Sequence, residues 1–115
     1  MKYKQFDVCL ADLNPRFGTE TGKTRPVLIV QTDMLNKVHP STIVCPITTN
    51  IKKGVSILRV FMKKGEGGMK KDSSIMIDQI RAIDNKRFVK KTGYLPIHLQ
   101  KKVMENIKIV LEIMP

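Results

Sequence analysis

The chain has 115 residues and a mass of 13.1 kDa, enough for one hydrophobic core and not for two. Its 42% hydrophobic content excludes a disordered polyelectrolyte. The net charge of +11 is shared by both halves, so the excess belongs to the folded body and favours a polyanionic partner.

Two cysteines without CxxC spacing and two histidines speak against a metal centre. Cys9 and Cys45 lie in apolar runs and are expected to be buried free thiols in a reducing compartment. The opening MKYKQFDVC lacks the apolar core of a signal peptide, and no stretch reaches the length of a membrane span. The expectation is a cytoplasmic chain forming a single domain over 1–115, with no membrane partner.

Taken in order, Phe6 to Leu13 is short and β-prone, with Phe6, Val8 and Leu10 on one face. Asn14-Pro15 opens a polar, glycine-punctuated loop that runs to Lys23. Arg25 to Thr32 is a continuous apolar run, the mark of a strand covered on both sides. Thr32 or Asp33 then caps a helical turn through Asn36. Thr42 to Thr48 is a third strand, whose Pro46 requires a bulge or an edge.

Val55 to Met62 reads as a fourth strand, and the basic, glycine-rich KKGEGGMKK after it as a mobile hairpin or loop. Ser74 to Ile83 resumes the β pattern, as two strands bent near Asp78. Asp84 to Arg87 is a turn, and Val89 to Leu95 a last strand. From Pro96, Leu99, Val103, Ile107, Val110 and Met114 recur at three- and four-residue spacing, which predicts one amphipathic helix. Short strands with a closing helix predict a small, strongly bent, barrel-like sheet.

Common enzyme signatures are missing: no Walker loop, GxSxG, HExxH or carboxylate cluster for magnesium. His39 reads as a turn residue and His98 as a surface or packing residue, so a histidine acid–base pair is not expected. What remains is a polar set at strand ends. RNA carries its own nucleophile in the 2′-OH, so a protein that cleaves it needs only to orient that group, stabilise the phosphorane and protonate the leaving oxygen. Arg25, at the root of the first loop, is suited to the charge. Thr48 can hydrogen-bond a non-bridging oxygen, and Glu20 is a proton acceptor if it reaches the 2′-OH. Competing structural roles are an ion pair of Glu20 with Lys23 or Arg25, a solvated strand hydroxyl at Thr48, and an Arg81–Asp84 ion pair.

Three segments, GTETGKTRPVLIVQTD (18–33), STIVCPITT (41–49) and KDSSIMIDQIRAIDNKRF (71–88), resemble the MazF/PemK family of toxin endoribonucleases in the right order. The opening FDVCLADLNP and closing GYLP fit the same pattern. The resemblance implies a mainly β (α+β) fold: an SH3-like β-barrel of strongly bent antiparallel strands with a C-terminal α-helix, assembled as a homodimer. It implies metal-independent, sequence-specific cleavage of single-stranded RNA without a cofactor, leaving 2′,3′-cyclic phosphate and 5′-hydroxyl ends. It also implies a cognate antitoxin whose acidic flexible segment blocks the RNA groove.

By the same resemblance the catalytic arginine and threonine fall on Arg25 and Thr48. Phe17, Thr19, Glu20, Lys23, Thr49, Asp78 and Gln79 fall among the RNA-binding positions, with Phe17 placed to stack a base. Relatives that use a histidine in the first loop and an arginine before the DQ aspartate are matched here by Thr19 and Met76, so that version is closed to this chain. The alternative is a same-fold toxin that binds gyrase or RNA without cutting.

Overall fold

A computed structural model describes residues 2–51 and 58–113. Seven strands form one antiparallel sheet: β1 (Asp7–Asp12), β2 (Thr24–Ile29), β3 (Ser41–Thr48), β4 (Arg59–Met62), β5 (Ser73–Met76), β6 (Arg81–Asp84) and β7 (Phe88–Tyr94). The strand order is β4-β5-β3-β2-β1-β7, with β6 also on β3. The helices are α1 (Asp33–Asn36) and α2 (Ile97–Val110). Residues 55–57 of the expected fourth strand, and Met114 of the helical pattern, lie outside the described residues.

β2 is central, and Val27 to Gln31 are buried, as its unbroken apolar run requires. It ends in a bulge, where the Val30 and Gln31 N–H groups both donate to the Ile43 carbonyl at 3.1 and 3.3 Å. β3 is central as well, so Pro46 needs another reason to be tolerated. Its neighbour on one side changes from β6, which pairs Ser41–Val44, to β5, which pairs Ile47–Thr48. Pro46 sits in that break, where a missing N–H leaves no ladder bond unmade. The expected bend near Asp78 is a 3-10 turn over Ile77–Gln79 between β5 and β6.

The sheet bends around two apolar clusters rather than one. Val8, Leu28, Cys45, Ile47, Val60, Met62 and Ile75 form the first, which α2 covers with Leu99, Val103 and Ile107. Cys9, Ala11, Leu13, Val27, Ile29, Val44 and Ile83 form the second, closed by Tyr3 and Phe88. Both faces of β1 are therefore buried, where the alternation Phe6, Val8, Leu10 marks only one. Pro96 caps α2, its carbonyl accepting the N–H groups of Leu99 and Gln100.

The sheet is barrel-like but not closed, with β4 and β7 as the ends of its path. A 3-10 turn at Glu66–Gly68 bridges the gap by pressing on β7. A Cβ at Gly93 would lie 2.2 Å from the Gly67 carbonyl oxygen, and one at Gly68 2.2 Å from that of Thr92. Only glycine allows the two backbones to meet there. The tract read as a mobile hairpin is thus a seam of the fold, with Gly67 and Met69 buried.

Among the described residues, no helix is long and apolar enough to cross a membrane.

Candidate functional site

The loop between β1 and β2 is fixed at its base before it reaches outward. Lys23 donates its N–H to Asn14 Oδ1 at 2.8 Å, and its carbonyl accepts from Leu13 N at 2.9 Å. Arg87 clamps the other arm, with Nη1 donating to the carbonyls of Asp12 (3.0 Å) and Asn14. From this base the loop frames an open groove of about 570 Å³. Its walls are the loop itself and the end of β3, and its floor is Pro26, Ile47, Met69 and Met76.

Arg25 lies half-buried in this groove, with Nε donating to the Gly22 carbonyl at 2.9 Å. The bond fixes the plane of the guanidinium while its Nη edge has no partner among the described residues. Burial, and after it the charge of Arg16, hold the guanidinium below its ordinary pKa. Desolvation is the larger cause, and Arg16 adds a like charge to it.

Thr48 stands across from Arg25. The β2–β3 ladder stops at Val27↔Pro46, and two more steps of the same register set Arg25 against Thr48. Pro26 lacks the N–H that would continue the ladder to Ile47, so the hydrogen bonding between the strands stops where the groove begins. Thr48 Oγ1 accepts the Asn50 N–H at 3.1 Å, leaving its own proton to donate outward.

Thr19, Glu20, Lys23 and Thr49 line the same groove, and Phe17, Asp78 and Gln79 do not. Phe17 is 81% exposed on the loop. Gln79 is one step removed, its Oε1 accepting from Thr21 Oγ1 at 3.4 Å. Asp78 is ion-paired with Arg59. Glu20 makes no ion pair among the described residues, so the competing pairs with Lys23 and Arg25 do not form. The Arg81–Asp84 pair is absent too: an odd separation on a strand puts the two on opposite faces. Arg81 instead donates to the Thr21 carbonyl at 3.5 Å, and Asp84 caps a 3-10 turn.

Sequence reasoning does not single out Arg16, Thr21, Gly22 or the apolar floor. For Gly22 the close approach is decisive, since a Cβ there would sit 2.6 Å from Arg16 Cβ. Arg16 carries a usable signal, as a second arginine in the segment that ends at Arg25. Met76 is marked only by its place before the DQ aspartate, and Met69 carries no signal, because it reaches the groove from a segment distant in sequence.

Other expected features have plain placements. Cys9 and Cys45 are free and buried, and burial pushes each thiol up to about 12. His39 Nδ1 pairs with the Ser41 backbone, and His98 Nε2 lies 3.1 Å from Glu66. Among the described residues, no group of His, Cys, Asp and Glu is placed to hold a metal ion.

The family model for PemK-like, MazF-like toxins of type II toxin–antitoxin systems matches residues 4–111. The chain belongs to that family. Endoribonuclease EndoA of Bacillus subtilis is 39% identical over 111 residues, 96% of each chain. MazF from Deinococcus radiodurans has the same fold at 20% identity and a TM-score of 0.83, with 96% of this chain and 97% of that one covered. A mycobacterial endoribonuclease in complex with its cognate antitoxin superposes with a TM-score of 0.79 at 15% identity, covering 98% of each chain. The loop and strand ends that build the groove all fall inside the matched span of this MazF-like chain.

Proposed function

We propose that this MazF-like chain is a metal-independent, sequence-specific endoribonuclease that cleaves single-stranded RNA, messenger RNA above all, to 2′,3′-cyclic phosphate and 5′-hydroxyl ends. One observation carries the reading: the free Nη edge of Arg25 faces a groove across from the donor hydroxyl of Thr48, and neither group is spent on a carboxylate. A scissile phosphate between them is held by a guanidinium fork and a hydroxyl, the donors that a dianionic phosphorane needs.

In this mechanism the 2′-oxygen forms a bond to phosphorus as the bond to the 5′-oxygen breaks. The 2′-proton passes to Glu20, whose carboxylate lines the groove without an ion-pair partner, and water protonates the departing 5′-oxygen. Thr19, Lys23 and Thr49 bind the nucleotides beside the cleaved bond. Phe17 stacks a base from the loop tip, and Gln79 and Asp78 act from the rim.

The named relative supports cleavage, and the antitoxin-bound neighbour supports a cognate antitoxin. An acidic flexible segment would suit a chain of net charge +11. The chain works in the cytoplasm as one domain, assembled as a homodimer. Ile43 on β3 and Ile109 on α2 are apolar and exposed, and sedimentation at a monomer's mass would remove the dimer.

The test is digestion of a long single-stranded RNA in EDTA by the wild type, Arg25→Ala and Thr48→Ala. Discrete fragments with cyclic-phosphate ends are expected from the wild type alone. Intact RNA in all three lanes would favour a non-cutting toxin that binds gyrase or RNA, and full cutting by Arg25→Ala would displace the active site.

A further inference from the structure

The Arg25 groove does not end at Met69. Pro26, Thr49 and Met69 also line a second cleft, of about 670 Å³, so the two run together as one channel. The floor of the second cleft is apolar: Leu10 and Pro26, a cross-strand pair of β1 and β2, with Met69 beside them. Its rim is basic. Lys70 and Lys71 follow the Glu66–Gly68 turn, and Lys90 and Lys91 come from β7, with Lys90 opposite Leu10 in the β1–β7 register.

The four lysines are not equivalent. Lys91 Nζ is 3.1 Å from Oδ1 of the buried Asp7, which commits it to the fold. Lys70, Lys71 and Lys90 are exposed and make no ion pair among the described residues, and no carboxylate lines the cleft. Three uncompensated ammonium groups around an apolar floor match the two halves of a nucleotide, phosphate on the rim and base on the floor. A strand whose scissile phosphate sits at Arg25 must continue out of the groove, and this channel is a continuation of it.

We infer that the lysine-rimmed cleft binds the RNA segment flanking the cleaved phosphodiester, with Lys70, Lys71 and Lys90 holding its phosphates. The inference rests on the ribonuclease reading and adds to it a requirement for substrate beyond the cleaved bond.

The experiment compares two single-stranded RNAs, one just covering a mapped cleavage site and one extended on both sides. The proteins are the wild type, a Lys70→Gln/Lys71→Gln/Lys90→Gln variant, the matching Lys→Arg variant, and Lys101→Gln/Lys102→Gln/Lys108→Gln. The last removes the same charge from the exposed side of α2.

The ratio of kcat/KM for the long RNA to that for the short one is expected to fall in the cleft Gln variant alone. The Arg variant should restore it. By anisotropy, the salt slope for binding the long RNA should become shallower by about 0.7 for each phosphate that a lysine no longer neutralises. An unchanged ratio and slope would overturn the inference while leaving the ribonuclease standing. An unchanged RNA slope with lost binding of a polyglutamate peptide would also overturn it and assign the cleft to an acidic peptide. If the wild type cuts neither RNA, the ribonuclease reading falls and the binding slope still decides the cleft.

Discussion

Two polar clusters in this molecule are built from similar material and wired in opposite ways. Around Gln31 and Asn36, both buried, each donor has its acceptor. Gln31 Nε2 reaches Asn36 Oδ1 at 3.0 Å and the Ser41 carbonyl at 3.2 Å, and Asn36 Nδ2 reaches the Gln31 carbonyl and Asp33 Oδ1, both at 3.0 Å. Gln31 Oε1 accepts from Ile43 N at 3.3 Å. The cluster ties α1 to β2 and β3 and offers nothing to a ligand. Around Arg25 one bond fixes the side chain and the rest of its donors face an open groove. A closed network stabilises the fold and an open one waits for a partner, because burial penalises every polar group left without a bond.

The difference can be broken from either side, and the largest effect is expected in the groove. Arg25→Ala should lower kcat by about a hundred- to a thousandfold, the scale for losing a preorganised charge donor. Thermal unfolding should leave its midpoint near that of the wild type. Arg25→Lys should recover little, since an ammonium cannot keep the Gly22 bond and present a planar fork. An Arg25→Ala protein that melted far below the wild type would mean the residue belongs with the structural cluster after all.

Asn36→Leu should do the reverse. Stranding the bonding groups of Gln31 should cost about 2 kcal/mol in urea unfolding, while the cleavage rate per folded molecule stays put. A loss of rate without a loss of stability would erase the distinction.

Gly93→Ala tests the seam between β7 and the Glu66–Gly68 turn, which is structural but borders the lysine cleft. Forcing a methyl group between those backbones should cost about 1–3 kcal/mol. A calorimetric midpoint equal to the wild type's would show that the seam can open.

The smallest effect concerns Asp33, whose carboxyl is held below its ordinary range first by the Gln5 N–H and then by the Asn36 amide. A carboxyl depressed in the folded state stabilises the protein above its unfolded pKa, near 3.9. That contribution disappears as pH falls through the lower folded value. Asp33→Asn should therefore flatten the acid limb of a midpoint-against-pH curve and leave the neutral region almost level. An unchanged acid limb would mean that these bonds are equally available in the unfolded chain.

Much of this is legible in the order of the residues alone. The unbroken run from Arg25 to Thr32 marks a central strand, and Pro96 with its three- and four-residue apolar spacing marks α2. The bend near Asp78 announces itself by a change in pattern. Arg25 and Thr48 stand out because a charged and a hydroxyl group at strand ends have few structural duties. The polar partner of Asp78 is not legible: Arg59 lies on β4, and only the pairing of β4 with β5 brings it to the turn that holds Asp78. The basic tract after β4 misleads for a related reason. Its glycines read as freedom, whereas at Gly68 they permit the backbone to lie against β7.

By itself the sequence determined the local elements, the family and the types of groups available for chemistry. Periodicity, caps and turn residues act between near neighbours, so a linear reading captures them. Tertiary structure alone decided that Arg25 comes opposite Thr48 past the last pair of a ladder that Pro26 does not extend. It also decided that the sheet stays open, bridged by a glycine seam, and that Lys91 is spent on Asp7 while Lys70, Lys71 and Lys90 are not. Each of those outcomes depends on strand register and on which charge is neutralised by which, and those partners lie far apart along the chain.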